Sequence, residues 1–213
     1  MKLSKLIPLF IIFISFLVGI YFYPRLPDLL ATHWGSDGQV NGYSGKFFGL
    51  FFMPFLSVFL YFLFLFLPQT DPYKKNFDQF KSYFYAFINV VFIFLFYLHL
   101  LTIFWNLGYR FNMIQVLSPA FAVIFYYAGI LTGHAKRNWF VGIRTPWTLH
   151  SDTIWNQTHQ VGAKLFKITG ILTLFCLFFP NQALFFLLVP VLLTSIFIFI
   201  YAYYLYRKTL TID

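Results

Sequence analysis

Two stretches of this 213-residue chain gather side chains that could do chemistry. The first reads Pro27, then Thr32-His33-Trp34-Gly35, Asp37-Gly38, Asn41-Gly42-Tyr43 and Lys46. An imidazole, a carboxylate and an ammonium sit there among glycines and Asx residues that tolerate positive φ, which predicts a compact, turn-rich loop. On one reading His33 and Asp37 form a binding pair for a peptide or a cation, with Trp34, Tyr43 and Lys46 beside them. On the other they are an interfacial anchor and a turn former, with Trp34 and Tyr43 at headgroup level.

The second stretch runs from Asn138-Trp139 through Arg144-Thr145-Pro146-Trp147 to Ser151-Asp152, Trp155, Thr158-His159, Gly162 and Lys164. A proline-fixed corner aims the planar guanidinium of Arg144, the side chain suited to forking onto a carboxylate or phosphate. Ser151 or Asp152 suits a helix N-cap, and on the helix that follows Trp155 and His159 lie four apart on one face. The competing reading is an amphipathic interfacial hairpin held by Trp139, Trp147 and Trp155. Thr145, Pro146, Trp147, Trp155 and His159 join Arg144 as candidates for recognising a partner.

Other chemistry has little to work with. The chain contains no Glu and no close pair of carboxylates, and its one cysteine, Cys176, excludes an intrachain disulfide and a CxxC site. Its five histidines show no HExxH or similar spacing, and there is no nucleophile elbow or phosphate-binding glycine loop. No metal, cofactor or enzymatic activity is expected.

The elements that must hold these loops are apolar. Hydrophobic residues make up 60% of the chain and charged ones 10%, with a mean hydropathy of +0.74, so water is not the main solvent. Six apolar segments stand out against about 30 Å of hydrocarbon: Leu6 to Tyr23, Phe47 to Leu67, Tyr83 to Phe104, Met113 to Gly133, Leu165 to Phe179, which is short by this count, and Ala183 to Tyr206. The first lacks a cleavage pattern and reads as a retained helix. The fifth starts earlier, near Thr158, with Lys164 and Lys167 reaching back to the headgroups. Pro180-Asn181-Gln182 makes a tight turn into the sixth. The fold class is an all-α membrane protein of six transmembrane helices. It forms one polytopic domain over 1–213: helices one and two with their loop at 24–46 in 1–67, helices three and four in 83–133, and the second loop with helices five and six in 134–213.

Orientation follows from Lys and Arg. Lys2, Lys5, Lys74, Lys75, Lys81, Lys136, Arg137, Arg144, Lys164, Lys167, Arg207 and Lys208 fall on one side, and Arg25, Lys46 and Arg110 on the other. Twelve against three places both termini and the second loop in the cytoplasm and the first loop outside, in a bacterial inner membrane. The net charge of +9 is therefore a topology signal that suits membrane lipids as partners, and direct nucleic-acid binding has no separate support. Within the spans, His99 is an ionisable group and a functional hypothesis by default; with Asn89 it could equally make interhelical hydrogen bonds.

The run Gly142-Ile143-Arg144-Thr145-Pro146-Trp147-Thr148-Leu149, followed by Trp155, Thr158-His159 and Gly162-Ala163-Lys164, resembles the signature loop of the SdpI family of bacteriocin-immunity membrane proteins. Leu26-Pro27, His33-Trp34, Asp37-Gly38, Gly42-Tyr43 and Lys46 resemble the N-terminal domain of unknown function that accompanies it. The resemblance implies immunity to a secreted toxic peptide and, as in the prototype, signalling by holding a cytosolic transcriptional repressor at the membrane. Ser151-Asp152-Thr153 departs from the family in carrying no Glu. A rival of another class is a small-molecule or ion transporter on a six-helix bundle. Its one hint is that Gly45-Lys46-Phe47-Phe48 and Ala163-Lys164-Leu165-Phe166 enter corresponding helices of two inverted halves.

Overall fold

The structure, a computed structural model, describes residues 2–36 and 38–210; Asp37 lies outside the described residues. In chain order the elements are α1 (Lys2–Phe22), β1 (Leu29–Trp34), β2 (Val40–Gly45), α2 (Lys46–Thr70), α3 (Lys74–Phe77), α4 (Lys81–Asn106), α5 (Met113–His134), α6 (Pro146–His150), α7 (Asp152–Thr173) and α8 (Ala183–Leu210). Six of the helices, α1, α2, α4, α5, α7 and α8, are long and apolar enough to cross a membrane, as expected. The fifth span starts well before its apolar run, at Asp152, because the Ser151 hydroxyl accepts from Ile154 N–H at 3.4 Å and caps it.

The all-helical expectation needs one correction. The segment expected to be a turn-rich loop is an antiparallel hairpin of β1 and β2. Leu29, Leu30 and Ala31 pair with Gly45, Ser44 and Tyr43, after which His33 meets Gly42 and Trp34 meets Val40. Thr32 and Asn41 are thus extra residues on their strands. The bulges break the two-residue period after Ala31, and Leu30 and Ala31 are buried consecutively, so burial along β1 does not alternate.

The hairpin lies on the ends of α2 and α4. Leu30 joins Leu26, Leu50, Phe51 and Ile103 in a buried cluster. On the free side of β1, the Asn106 amide acts as a further strand: its Oδ1 accepts from Ala31 N–H at 2.8 Å and its Nδ2 donates to Ala31 C=O at 3.0 Å. At the opposite end of the bundle, Phe80, Phe84, Ile88, Phe92, Leu131 and Trp155 form the largest buried cluster, between α4, α5 and α7.

The tightest seam is between α5 and α7. A Cβ on Gly129 would stand 2.7 Å from Ala163 C=O, and one on Gly170 2.7 Å from Ala122 C=O, so the two backbones touch at both places. Small residues allow this approach, which matters in lipid, where the hydrophobic effect does not drive helices together. Thr169 and Thr194 hydroxyls, 2.9 Å apart, tie α7 to α8. His99 is buried in α4, and neither its ring nitrogens nor Asn89 Oδ1 makes the interhelical hydrogen bond that is one of its two readings.

Candidate functional site

At the end of the bundle opposite the hairpin, the segment between α5 and α7 is folded against the one between α2 and α4. Its first turn is made by Asn138, which is wholly buried: Oδ1 accepts from Phe140 N–H at 2.9 Å and Val141 N–H at 2.7 Å, while Nδ2 donates to Lys136 C=O at 2.8 Å. Asp71, at the end of α2, is 3% exposed. Its carboxylate accepts from Tyr73 N–H at 2.5 Å and from Trp139 N–H at 2.7 Å. Asn76 adds a second tie by donating to Arg137 C=O at 2.8 Å. Arg137 stacks over Tyr73, 4.8 Å from its centroid. Its Nε lies 3.0 Å from Asp152 Oδ1, close enough for an ion pair though off the line of a hydrogen bond. We call this assembly the clamp.

Inside the clamp, Trp155 and His159 do share a face of α7, and both are buried. Their rings stack with centroids 3.9 Å apart. The Trp155 indole donates to Ala135 C=O at 2.8 Å, which stops the last turn of α5. His159 Nδ1 donates to Trp155 C=O at 2.8 Å, and Nε2 accepts from Ile143 N–H at 3.1 Å, so the neutral tautomer is fixed by its partners. The chain passes over this ring at Gly142, where φ is +104° and a Cβ would lie 2.5 Å from His159 Nε2. Only glycine meets both requirements there.

The next residues form a cap. Thr145 and Thr148 make a capping box around the start of α6, with Thr148 N–H donating to Thr145 Oγ1 at 3.2 Å and Thr145 N–H to Thr148 Oγ1 at 2.8 Å. Pro146 occupies the first helical turn, where its missing N–H costs nothing. Trp147 leans on α8, with ring centroids 5.4 Å from both Phe199 and Tyr203. Of the inner-loop candidates, Arg144 and Pro146 alone are exposed. The Arg144 guanidinium donates to Trp139 C=O, which holds it at the surface with most of its fork unused. Thr145, Trp155 and His159 are buried and hold the loop on which Arg144 sits.

At the hairpin end, His33 pairs with Asn41 across the two bulges, through Nδ1 and Oδ1. Whether Asp37 stands by His33 falls outside the described residues. Lys46 forms an ion pair with Asp28 at 3.0 Å. Trp34 packs edge-on against Trp105, 5.7 Å away, and Arg110 lies 3.8 Å above that Trp105 ring. Tyr43 is exposed. The result is an aromatic and cationic surface, separated by the full length of the spans from the clamp. Among the described residues, no three His, Cys, Asp or Glu side chains gather.

The residues to which the sequence assigned no role are Asp71, Asn138, Thr148 and Asn106. Three of them carried a signal: Asp71 precedes Pro72-Tyr73 as an Asx-turn former, Asn138 opens a loop, and Thr148 stands three after Thr145. Nothing in the sequence points from Asn106 to Ala31.

Comparison with known proteins places both regions. Residues 134–203 match the SdpI/YfhL protein family and residues 10–58 match a domain of unknown function, DUF1648. Immunity protein SdpI of Bacillus subtilis (strain 168) is 25% identical over 207 residues, covering 97% of this chain and 97% of its own length. No solved structure matches. The resemblance read from the two loops is thereby borne out, and with the six spans it makes this a multi-pass protein of the bacterial plasma membrane.

Proposed function

We propose that this chain, patterned on the SdpI/YfhL family at its clamp and on the accompanying N-terminal domain at its hairpin, gives its cell immunity to a secreted toxic peptide. The observation that carries this reading is the relation to an immunity protein over nearly the whole of both chains, spans and both loops included. The hairpin faces outward and meets the toxin through His33, Trp34, Tyr43 and Lys46, and Asp37 stays a candidate from the sequence alone. The clamp and both termini face the cytoplasm, where Arg144 engages a cytosolic partner such as a transcriptional repressor. Protection comes from binding without turnover. Expression in a toxin-sensitive strain should raise survival while leaving the recovered toxin chemically unchanged. Altered toxin would make the protein an enzyme, and no gain in survival across a panel of secreted peptides would remove immunity.

The orientation rests on the twelve-to-three distribution of Lys and Arg. In a Cys176→Ser background, Ser36→Cys should react with an impermeant maleimide on intact cells, and Lys75→Cys only after permeabilisation. Both positions are exposed, so equal labelling on intact cells would refute the topology.

Arg144 offers the sharper test of partner recognition. If its free fork makes a bidentate contact, Arg144→Lys should lose recruitment of a cytosolic partner nearly as fully as Arg144→Ala, about tenfold or more, because an ammonium keeps charge but not the planar pair of donors. Full function of the lysine variant at equal abundance would leave Arg144 a topology charge.

A further inference from the structure

Lys167 is a cation without a carboxylate. It lies on α7 opposite Gly129, whose added Cβ would stand 2.9 Å from Lys167 Cγ, and Gly129 precedes the α5 terminus at His134 by five residues, or about 8 Å of helix. The side chain is therefore below the level at which α5 ends. Its ammonium stands 5.9 Å from the centroid of Tyr126. Among the described residues it has no ion pair or hydrogen bond; the three ion pairs are Lys46–Asp28, Lys81–Asp78 and Arg137–Asp152. Nor can the spans provide one. The chain has no Glu, and its six Asp residues all lie in connections, at the start of α7 or at the C-terminus. A charge at this depth is costly, and the Tyr126 ring gives it a cation–π contact but no counter-charge, so an anion that neutralises it comes from outside the chain.

The surface beside Lys167 specifies what kind of anion. The groove between α5 and α7 has a volume of about 310 Å³ and is lined by Pro119, Ala122, Tyr126, Gly170, Ile171 and Leu174. Its floor is backbone and small side chains, because α5 and α7 touch at Ala122 and Gly170. Lys164, Lys167, Ile171 and Leu174 follow the 3–4–3 spacing of one helical stripe, so the groove continues along α7 to two ammonium groups, the outer of which, Lys164, is exposed. A free anion would find a charge but nothing to fill the apolar trough. A neutral chain would fill the trough and leave the charge. We infer that the groove is a binding site for an anionic phospholipid of the leaflet at the clamp end, with its phosphate at Lys164 and Lys167 and one acyl chain along Ala122, Gly170 and Leu174.

The test uses the purified full-length protein in detergent, titrated with dioleoylphosphatidylglycerol, dioleoylphosphatidylcholine or glycerol 3-phosphate, reading thermal stability and retained lipid by native mass spectrometry. Phosphatidylglycerol should stabilise and be retained, the choline lipid should do so weakly, and glycerol 3-phosphate should have no effect. Lys167→Gln should weaken phosphatidylglycerol retention about fivefold, the scale of one basic residue at an anionic surface. Lys75→Gln, an equal charge change at an exposed loop position, should leave it intact, and Lys167→Arg should restore it. Leu174→Trp should reduce retention of phosphatidylglycerol by filling the trough. Equal loss in Lys75→Gln, full retention in Lys167→Gln, or stabilisation by glycerol 3-phosphate would each overturn the site. The arginine variant and the wild-type lipid comparison keep the answer available should Lys167→Gln fail to fold.

Discussion

Replacing Trp155 with alanine is expected to lower the melting midpoint of the detergent-solubilised protein by about 10 °C, from a loss of about 3–5 kcal/mol. The ring is 1% exposed and belongs to the main buried cluster, so truncation leaves a cavity between α4, α5 and α7. It also leaves Ala135 C=O without its 2.8 Å donor and His159 without the ring it stacks on. Once the imidazole is free to turn, Ile143 N–H loses its acceptor and the passage over Gly142 has nothing to rest on. Trypsin should therefore cut at Arg144 faster in the variant than in the parent. Trp155→Phe keeps a stacking face and most of the volume, and should cost about 1 kcal/mol for the lost hydrogen bond. Equal melting of the alanine variant and the parent would mean that the clamp contributes nothing to the bundle.

Asp71→Ala is expected to cost about 2–4 kcal/mol, through a different mechanism. Two backbone N–H groups, of Tyr73 and Trp139, share this buried carboxylate, and removing it leaves both part-buried donors without their acceptor. Asparagine should rescue only in part, because its amide offers one oxygen and turns an N–H₂ toward the second donor, where two donors repel. The order of stability should run Asp, then Asn, then Ala, and hydrogen exchange at the Trp139 amide should follow the same order. Identical exchange in all three would show that the loop between α5 and α7 is held without Asp71.

What could be read from the sequence follows from what each pattern encodes. The six spans were legible because a bilayer demands uninterrupted apolar length, and length survives without any knowledge of neighbours. Ser151 as a cap and the shared face of Trp155 and His159 were legible because they depend on residues three or four apart. The hairpin was not, since its two bulges shift Thr32 and Asn41 out of phase. The division of labour within the clamp was not legible either: Arg144, Thr145 and His159 look equally able to meet a partner until the Thr145–Thr148 box and the Ile143–His159 bond turn two of them inward. Asp71 and Trp139, 68 residues apart, and Ala31 and Asn106, 75 apart, meet through folding alone.

The separation between Asp71 and Trp139 has a consequence for how the protein is made. A ribosome delivers the end of α2 long before the loop that follows α5, so for the synthesis of some sixty-eight residues the Asp71 carboxylate has Tyr73 as its partner and lacks Trp139. During that interval α1, α2 and α4 can enter the membrane and pack, but their exposed floor stays unlatched. Closure waits for the chain to pass Asn138. A nascent protein that stalls after α5 is thus a four-span intermediate with an open carboxylate at its base.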